Sequence, residues 1–191
     1  HTRIDRQSNG YKSAIWLASP DGARLRQFTA GDKRDTDPRW SPDGRWLAFV
    51  SDRGDDKAKA QIYVMPTDGG EAHRLTDMEN GAGEPRWSPD GRRIAFTSRL
   101  NAEERAEEAA GENGNEALLD PEEAERRARE KEKREKERSD PRVIDRFAYR
   151  AETSYLDGRT SHLYVLDVDP ETGRAAGKPR RVTDVERNYG D

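Results

Sequence analysis

Short apolar runs separated by polar turn residues fill most of the chain. "WLAFV" (Trp46–Val50), "IYVM" (Ile62–Met65), "RIAFTS" (Arg93–Ser98) and "LYVLDV" (Leu163–Val168) are rich in β-branched and aromatic residues and too short for helices. They predict strands. Between them lie "SPDG" (Ser41–Gly44 and Ser88–Gly91), "SPDGA", "TDGGE" and "DPETG". In Ser-Pro-Asp-Gly the proline presets φ at the first corner, Asp suits the second, and Gly takes the positive φ that closes a hairpin with a bulge. Pro42, Asp43 and Gly44 fill those places in one copy, and Pro89, Asp90 and Gly91 in the other.

The pattern repeats. Pro38–Arg53 aligns without gaps on Pro85–Leu100, and Trp40 and Trp87 are 47 residues apart (87 − 40). Ala14–Thr29 resembles Gln61–Thr76, and His162–Thr183 repeats that pattern with a longer turn. Self-similarity at this period, made of strands, predicts propeller blades of four short antiparallel strands. In blade two the strands are "PRWS", "RWLAFVS", "QIYVM" and "EAHRLT". The fold class is therefore all-β, a partial β-propeller of about three blades. Blade one is incomplete and covers 1–30, with "HTRID", "AIWLAS" and "ARLRQFT" visible. Blade two covers 38–77, and blade three covers 85–100 plus 142–184. Leu47 and Phe49 align with Ile94 and Phe96 on one side of the second strand. Ala48 and Ala95 face the other way, where a small side chain lets a neighbouring blade approach. Trp40 and Trp87 fall on the first strand, nearest the axis, where inter-blade packing is the expected role and stacking on a ligand the alternative. Closed propellers have at least four blades, so the count predicts a fragment with unpaired edges.

A block at 101–141 is built differently. Overall 39% of residues are charged and 31% hydrophobic, a marginal balance for a packed core. The charge is concentrated in this block. Asp120 with Pro121, Glu122 and Glu123 reads as a helix start. The following Glu–Arg and Glu–Lys pairs at i,i+4 predict a solvated helix without an apolar stripe. "NAEERAEEAAGENGNEALL" before it predicts a weaker helix broken at "GENGN", with a disordered segment as the alternative. An arm that binds a partner through Leu118, Leu119 or its charges is the alternative. The insertion falls between the second and third strands of blade three.

The net charge of −4 shows no basic surplus for nucleic acid. There are no cysteines, and the three histidines are scattered, so no metal or cofactor site is expected. No apolar run is long enough to span a membrane, and the first residues lack the features of a signal peptide; a cytoplasmic location is the expectation. No G-x-S-x-G elbow or phosphate-binding loop occurs, so no catalytic residue is assigned.

"DPRWSPDGRWLAFVSDR" followed by "QIYVMPTDGGEAHRLT" resembles the blade repeat shared by TolB-type propellers and the N-terminal propeller of prolyl oligopeptidase-family serine peptidases. "YRAETSYLDGRTSHLYVLDV" (Tyr149–Val168) resembles a stretch of the acylaminoacyl-peptidase-like members, which often carry an insertion just before it. The resemblance implies a non-catalytic propeller that caps an α/β-hydrolase domain of the same protein and gates access of short or N-acylated peptides. It also implies a substrate-facing loop with Arg150, Glu152 and Tyr155, against the plainer expectation of loop residues bonding backbone. A TolB-like scaffold that binds protein partners is the alternative reading. A homo-oligomer in which two three-blade chains close one ring is a third.

Overall fold

The computed structural model describes residues 1–5, 10–54, 59–102, 104–106, 108, 129, 150–151, 154–155 and 159–183. The chain divides into two compact units, His1–Arg99 with Thr160–Asp191, and Leu100–Arg159. The strands are β1 (Thr2–Asp5), β2 (Gly10–Ser13), β3 (Trp16–Ala18), β4 (Leu25–Gln27), β5 (Asp35–Trp40), β6 (Trp46–Ser51) and β7 (Gln61–Pro66). They continue as β8 (His73–Arg74), β9 (Gly83–Trp87), β10 (Arg93–Leu100), β11 (Arg150–Ala151), β12 (Ser154–Tyr155), β13 (Thr160–Asp167) and β14 (Arg180–Arg181).

Two sheets are complete blades. One runs β5-β6-β7-β8, and the other runs β9-β10-β13-β14. All measured pairings within them are antiparallel. Two further strand pairs, β1-β2 and β3-β4, form separate two-stranded sheets. The fold is a partial β-propeller. In the second complete blade, β10 and β13 are neighbours although residues 101–159 lie between them in the chain.

Each Ser-Pro-Asp-Gly turn folds in the same way. The Ser19, Ser41 and Ser88 hydroxyls donate to Asp21, Asp43 and Asp90 at 2.5, 2.6 and 2.5 Å. The same carboxylates accept the N–H of Ala23, Arg45 and Arg92 at 3.1 Å each. The serine oxygens in turn accept the N–H of Arg24, Trp46 and Arg93 at 2.9 Å each. Gly22, Gly44 and Gly91 close the turn at φ 72°, 72° and 68°, a region only glycine enters without strain. In blade one this turn joins β3 to β4, the third and fourth strands. In blades two and three it joins the first and second. The tetrapeptide therefore encodes a hairpin, whichever strand pair it closes.

The fourth strand is tied to the third by a threonine in every blade. Thr29, Thr76 and Thr183 accept the N–H of Ile15, Ile62 and Leu163 at 3.0 Å each. Between blades one and two, Ile15, Phe28, Leu47, Phe49 and Tyr63 form a common core, with Leu17, Met65 and Ala72 against it. Burying each of the larger ones contributes about 1.5–3 kcal/mol. Phe49 stacks on Tyr63 at 6.2 Å, and the aligned pair Phe96 and Tyr164 stacks at 5.5 Å. Ala48, with a blade on either side, is fully buried, whereas Ala95 is only partly so.

Candidate functional site

The first strands of the two complete blades, β5 and β9, pack against each other. Each carries a bulge, seen as a shift of register between Thr36 and Arg39 of β5, and between Gly83 and Arg86 of β9 opposite Ala95 and Thr97 of β10. At each bulge an acidic residue before proline has a left-handed backbone: Asp37 at φ 51° and Glu84 at φ 55°. Non-glycine residues enter this region at a cost, and such bulges re-aim side chains. Here they bring charge together across the two blades. Arg39 pairs with Asp37 at 2.5 Å, and Arg86 of the next blade approaches the same carboxylate at 3.9 Å. The Thr97 hydroxyl donates to Glu84 at 3.0 Å. The Trp87 indole N–H donates to the Arg39 carbonyl at 3.2 Å, linking one first strand to the other. Trp40, the aligned residue of blade two, is 51% exposed. This surface presents paired charges, an arrangement suited to recognising polar groups. Among the described residues no cluster of His, Asp or Glu is arranged to hold a metal.

Beneath this surface Asp35 is buried, with its side chain 1% exposed, and accepts Arg53 Nη2 on both carboxylate oxygens at 2.8 Å. Ser51 donates to the same carboxylate at 2.6 Å. The guanidinium lies over Phe49 and Tyr63 at 4.9 and 5.3 Å, and the Tyr63 hydroxyl donates to the Arg53 carbonyl. Blade three replaces both partners, with Ala82 and Leu100 at the aligned positions, and both are buried.

At the opposite edge, blade two holds the turn of blade three. Trp46 Nε1 donates to the Pro170 carbonyl at 2.9 Å, and Arg45 forks onto Glu171 at 3.1 and 3.2 Å. His73 Nε2 meets the Gly173 carbonyl at 2.7 Å, and its ring stands edge-on to Trp46. Blade one does the equivalent through Arg26, which donates to the Thr67 carbonyl at 3.1 Å. Asp43 is held below the ordinary carboxylate value chiefly by the Ser41 hydroxyl and then by the Arg45 N–H. Asp21 and Asp90 are lowered in the same way, by Ser19 and Ser88 first. Asp169, which receives the Glu171 N–H and then the Thr172 hydroxyl, is also lowered.

The loop residues named from the sequence belong to the second unit. Arg150 and Tyr155 are opposite each other in the two-stranded β11-β12 pair. Glu152 lies outside the described residues, as do Leu118, Leu119 and the Asp120 helix start. At the root of the insertion Asn101 and Glu104 cap each other: the Glu104 N–H donates to Asn101 Oδ1 and the Asn101 N–H to Glu104 Oε2, both at 2.9 Å. Residues 102, 104–106 and 108 are helical. Glu104 also receives Arg159 Nε at 3.0 Å and Nη2 at 2.5 Å, and its side chain is 7% exposed. The two ends of the segment between β10 and β13 are thus clasped together. Sequence reasoning named neither this clasp nor the left-handed acids. The available signal for the acids was an acidic residue directly before proline, written twice at the repeat spacing.

The profile of the TolB beta propeller domain family matches residues 4–127, well over half of the chain. The Bacillus subtilis (strain 168) protein named "Uncharacterized peptidase YuxL" is 46% identical over 57 residues, which are 30% of this chain and 9% of that peptidase. The fold matches Pyrococcus horikoshii acylaminoacyl peptidase with a TM-score of 0.55 at 16% identity, over 95% of this chain and 22% of that enzyme. It matches AtxE2 isopeptidase with a TM-score of 0.51 at 18% identity, over 95% of this chain and 26% of that one. The chain thus spans about a quarter or less of each of these relatives. The chain belongs to the TolB β-propeller domain family.

Proposed function

We propose that this chain is the non-catalytic propeller of a cytoplasmic serine peptidase that hydrolyses short or N-acylated peptides, and that it gates access to an α/β-hydrolase domain of the same protein. The observation that carries the reading is the 46% identity to a peptidase over 57 residues. The acylaminoacyl-peptidase fold match over 95% of the chain is consistent with it. In this reading the charged surface at Asp37, Arg39 and Arg86 meets peptide on its way to the hydrolase, and Arg150, Glu152 and Tyr155 touch substrate.

The test uses the full-length protein that carries this chain. A fluorophosphonate probe labels one serine, and N-acetylated dipeptide anilides are cleaved; absence of both overturns the reading. The TolB-like scaffold, which the family match favours, would give no labelling and instead a protein retained on the propeller.

A further inference from the structure

We propose that Arg86 selects peptides that carry a carboxylate, at the charged surface shared by blades two and three. The inference rests on the peptide reading above and adds the chemical group that is recognised. The internal repeat shows why this arginine differs from its counterpart. Arg39 and Arg86 are aligned, as are Asp37 and Glu84, and both acids precede a proline with a left-handed backbone. Each arginine bonds the carbonyl of the proline before it, Arg39 at 2.8 Å and Arg86 at 3.0 Å. There the likeness ends. In blade two Asp37 pairs with Arg39 at 2.5 Å. In blade three Glu84 instead accepts the Thr97 hydroxyl at 3.0 Å. The residue aligned with Thr97 is Val50, which has no hydroxyl to offer.

Arg86 is thereby separated from the acid of its own blade. The Asp37 carboxylate stands 3.9 Å away, beyond hydrogen-bond distance, and is already committed to Arg39. Two arginines thus share one aspartate, with one positive charge in excess. A guanidinium has five N–H donors. Arg86 uses one of them on Pro85, and its side chain is 57% exposed. The rest form the planar fork that takes both oxygens of a carboxylate, a match that a neutral terminal amide cannot make. The position is also fixed. Both strands belong to complete four-stranded sheets, and the Trp87 indole ties one to the other beside Arg86.

The test measures binding to the full-length protein that carries this chain, by titration calorimetry. Three peptides are compared: N-acetyl-Ala-Ala with a free C-terminus, its C-terminal amide, and N-acetyl-Ala-Asp amide, each N-methylated at the internal bond to prevent cleavage. At least one carboxylate peptide should bind about tenfold tighter than the neutral amide, the worth of one charge-assisted contact. The two acids separate a free C-terminus from an acidic side chain as the group recognised. Arg86→Gln should bring all three to the affinity of the amide. Thr97→Val, which gives blade three the residue of blade two and releases Glu84 to Arg86, should lower the preference while leaving amide binding unchanged. Equal affinities in the parent protein, a preference that survives Arg86→Gln, or one untouched by Thr97→Val overturns the proposal. Cleavage of the unmethylated peptides is read separately. Cleavage with equal affinities keeps the peptidase and removes this role of Arg86; a carboxylate preference without cleavage keeps Arg86 and removes the peptidase.

Discussion

Gly173 lies directly against the indole of Trp46: a Cβ at Gly173 would stand 2.8 Å from Cε3, closer than packed atoms approach. The glycine also sits at φ 65°. Two requirements therefore fall on one residue of blade three: space for the indole of blade two, and the left-handed backbone of its own turn. Gly173→Ala should destabilise the fold by about 3 kcal/mol, through overpacking and backbone strain together. Trp46→Ala in the same chain should remove the overpacking part, leaving the variant pair less destabilised than the sum of the singles. Chemical denaturation of all four proteins checks this; strict additivity would separate the two residues.

The buried pair Asp35 and Arg53 gives a second cycle. Asp35→Ala leaves a guanidinium against two aromatic rings without its carboxylate, a loss of about 3–5 kcal/mol. Adding Arg53→Leu recreates the combination that blade three uses at Ala82 and Leu100, and should recover most of the stability. Equal instability of the single and double variants, read from denaturation midpoints, would show that the ion pair is not exchangeable as a unit.

The turn carboxylates set an acid limit. Asp21, Asp43 and Asp90 are all lowered below 3.8 by serine hydroxyls that bond the charged form. Their contribution is thus fully present above that value and is lost as the pH falls through the depressed one. Replacing all three by Asn should lower the Tm at neutral pH and narrow the gap to the parent protein on acidification below pH 3.8. A gap that is constant with pH would contradict it.

Glu104 and Arg159 clasp the ends of the segment between β10 and β13, so Arg159→Ala should raise amide exchange at residues 101–106 while leaving protection in β6 and β7 unchanged. Loss of protection in both places would show that the clasp supports the blade itself.

The blade repeat was legible because hairpin chemistry is local. Ser41, Asp43 and Gly44 complete their bonds within a few residues, so the tetrapeptide identifies the turn wherever it occurs. Even Thr29, Thr76 and Thr183 fall at matching places in the aligned stretches. What could not be read depends on partners distant in the chain. Trp46 and Arg93 are aligned residues that look like drift within a repeat, yet Trp46 is covered by a turn 124 positions away. The left-handed Asp37 and Glu84 were hidden because the residue before proline ordinarily favours an extended backbone. The exposure of Trp40 depends on which strand lies beside it, which its own neighbours in sequence do not encode.

The gating claim is tested most directly by the length dependence of kcat/KM in the full-length protein that carries this chain. N-acetylated substrates ending in the same scissile dipeptide are compared, one a blocked dipeptide and the other an unfolded protein chain. A propeller that covers the hydrolase predicts cleavage of the first and a steep loss for the second, relieved when the propeller is removed and the hydrolase domain remains folded. Equal kcat/KM for both substrates with the propeller in place would contradict it.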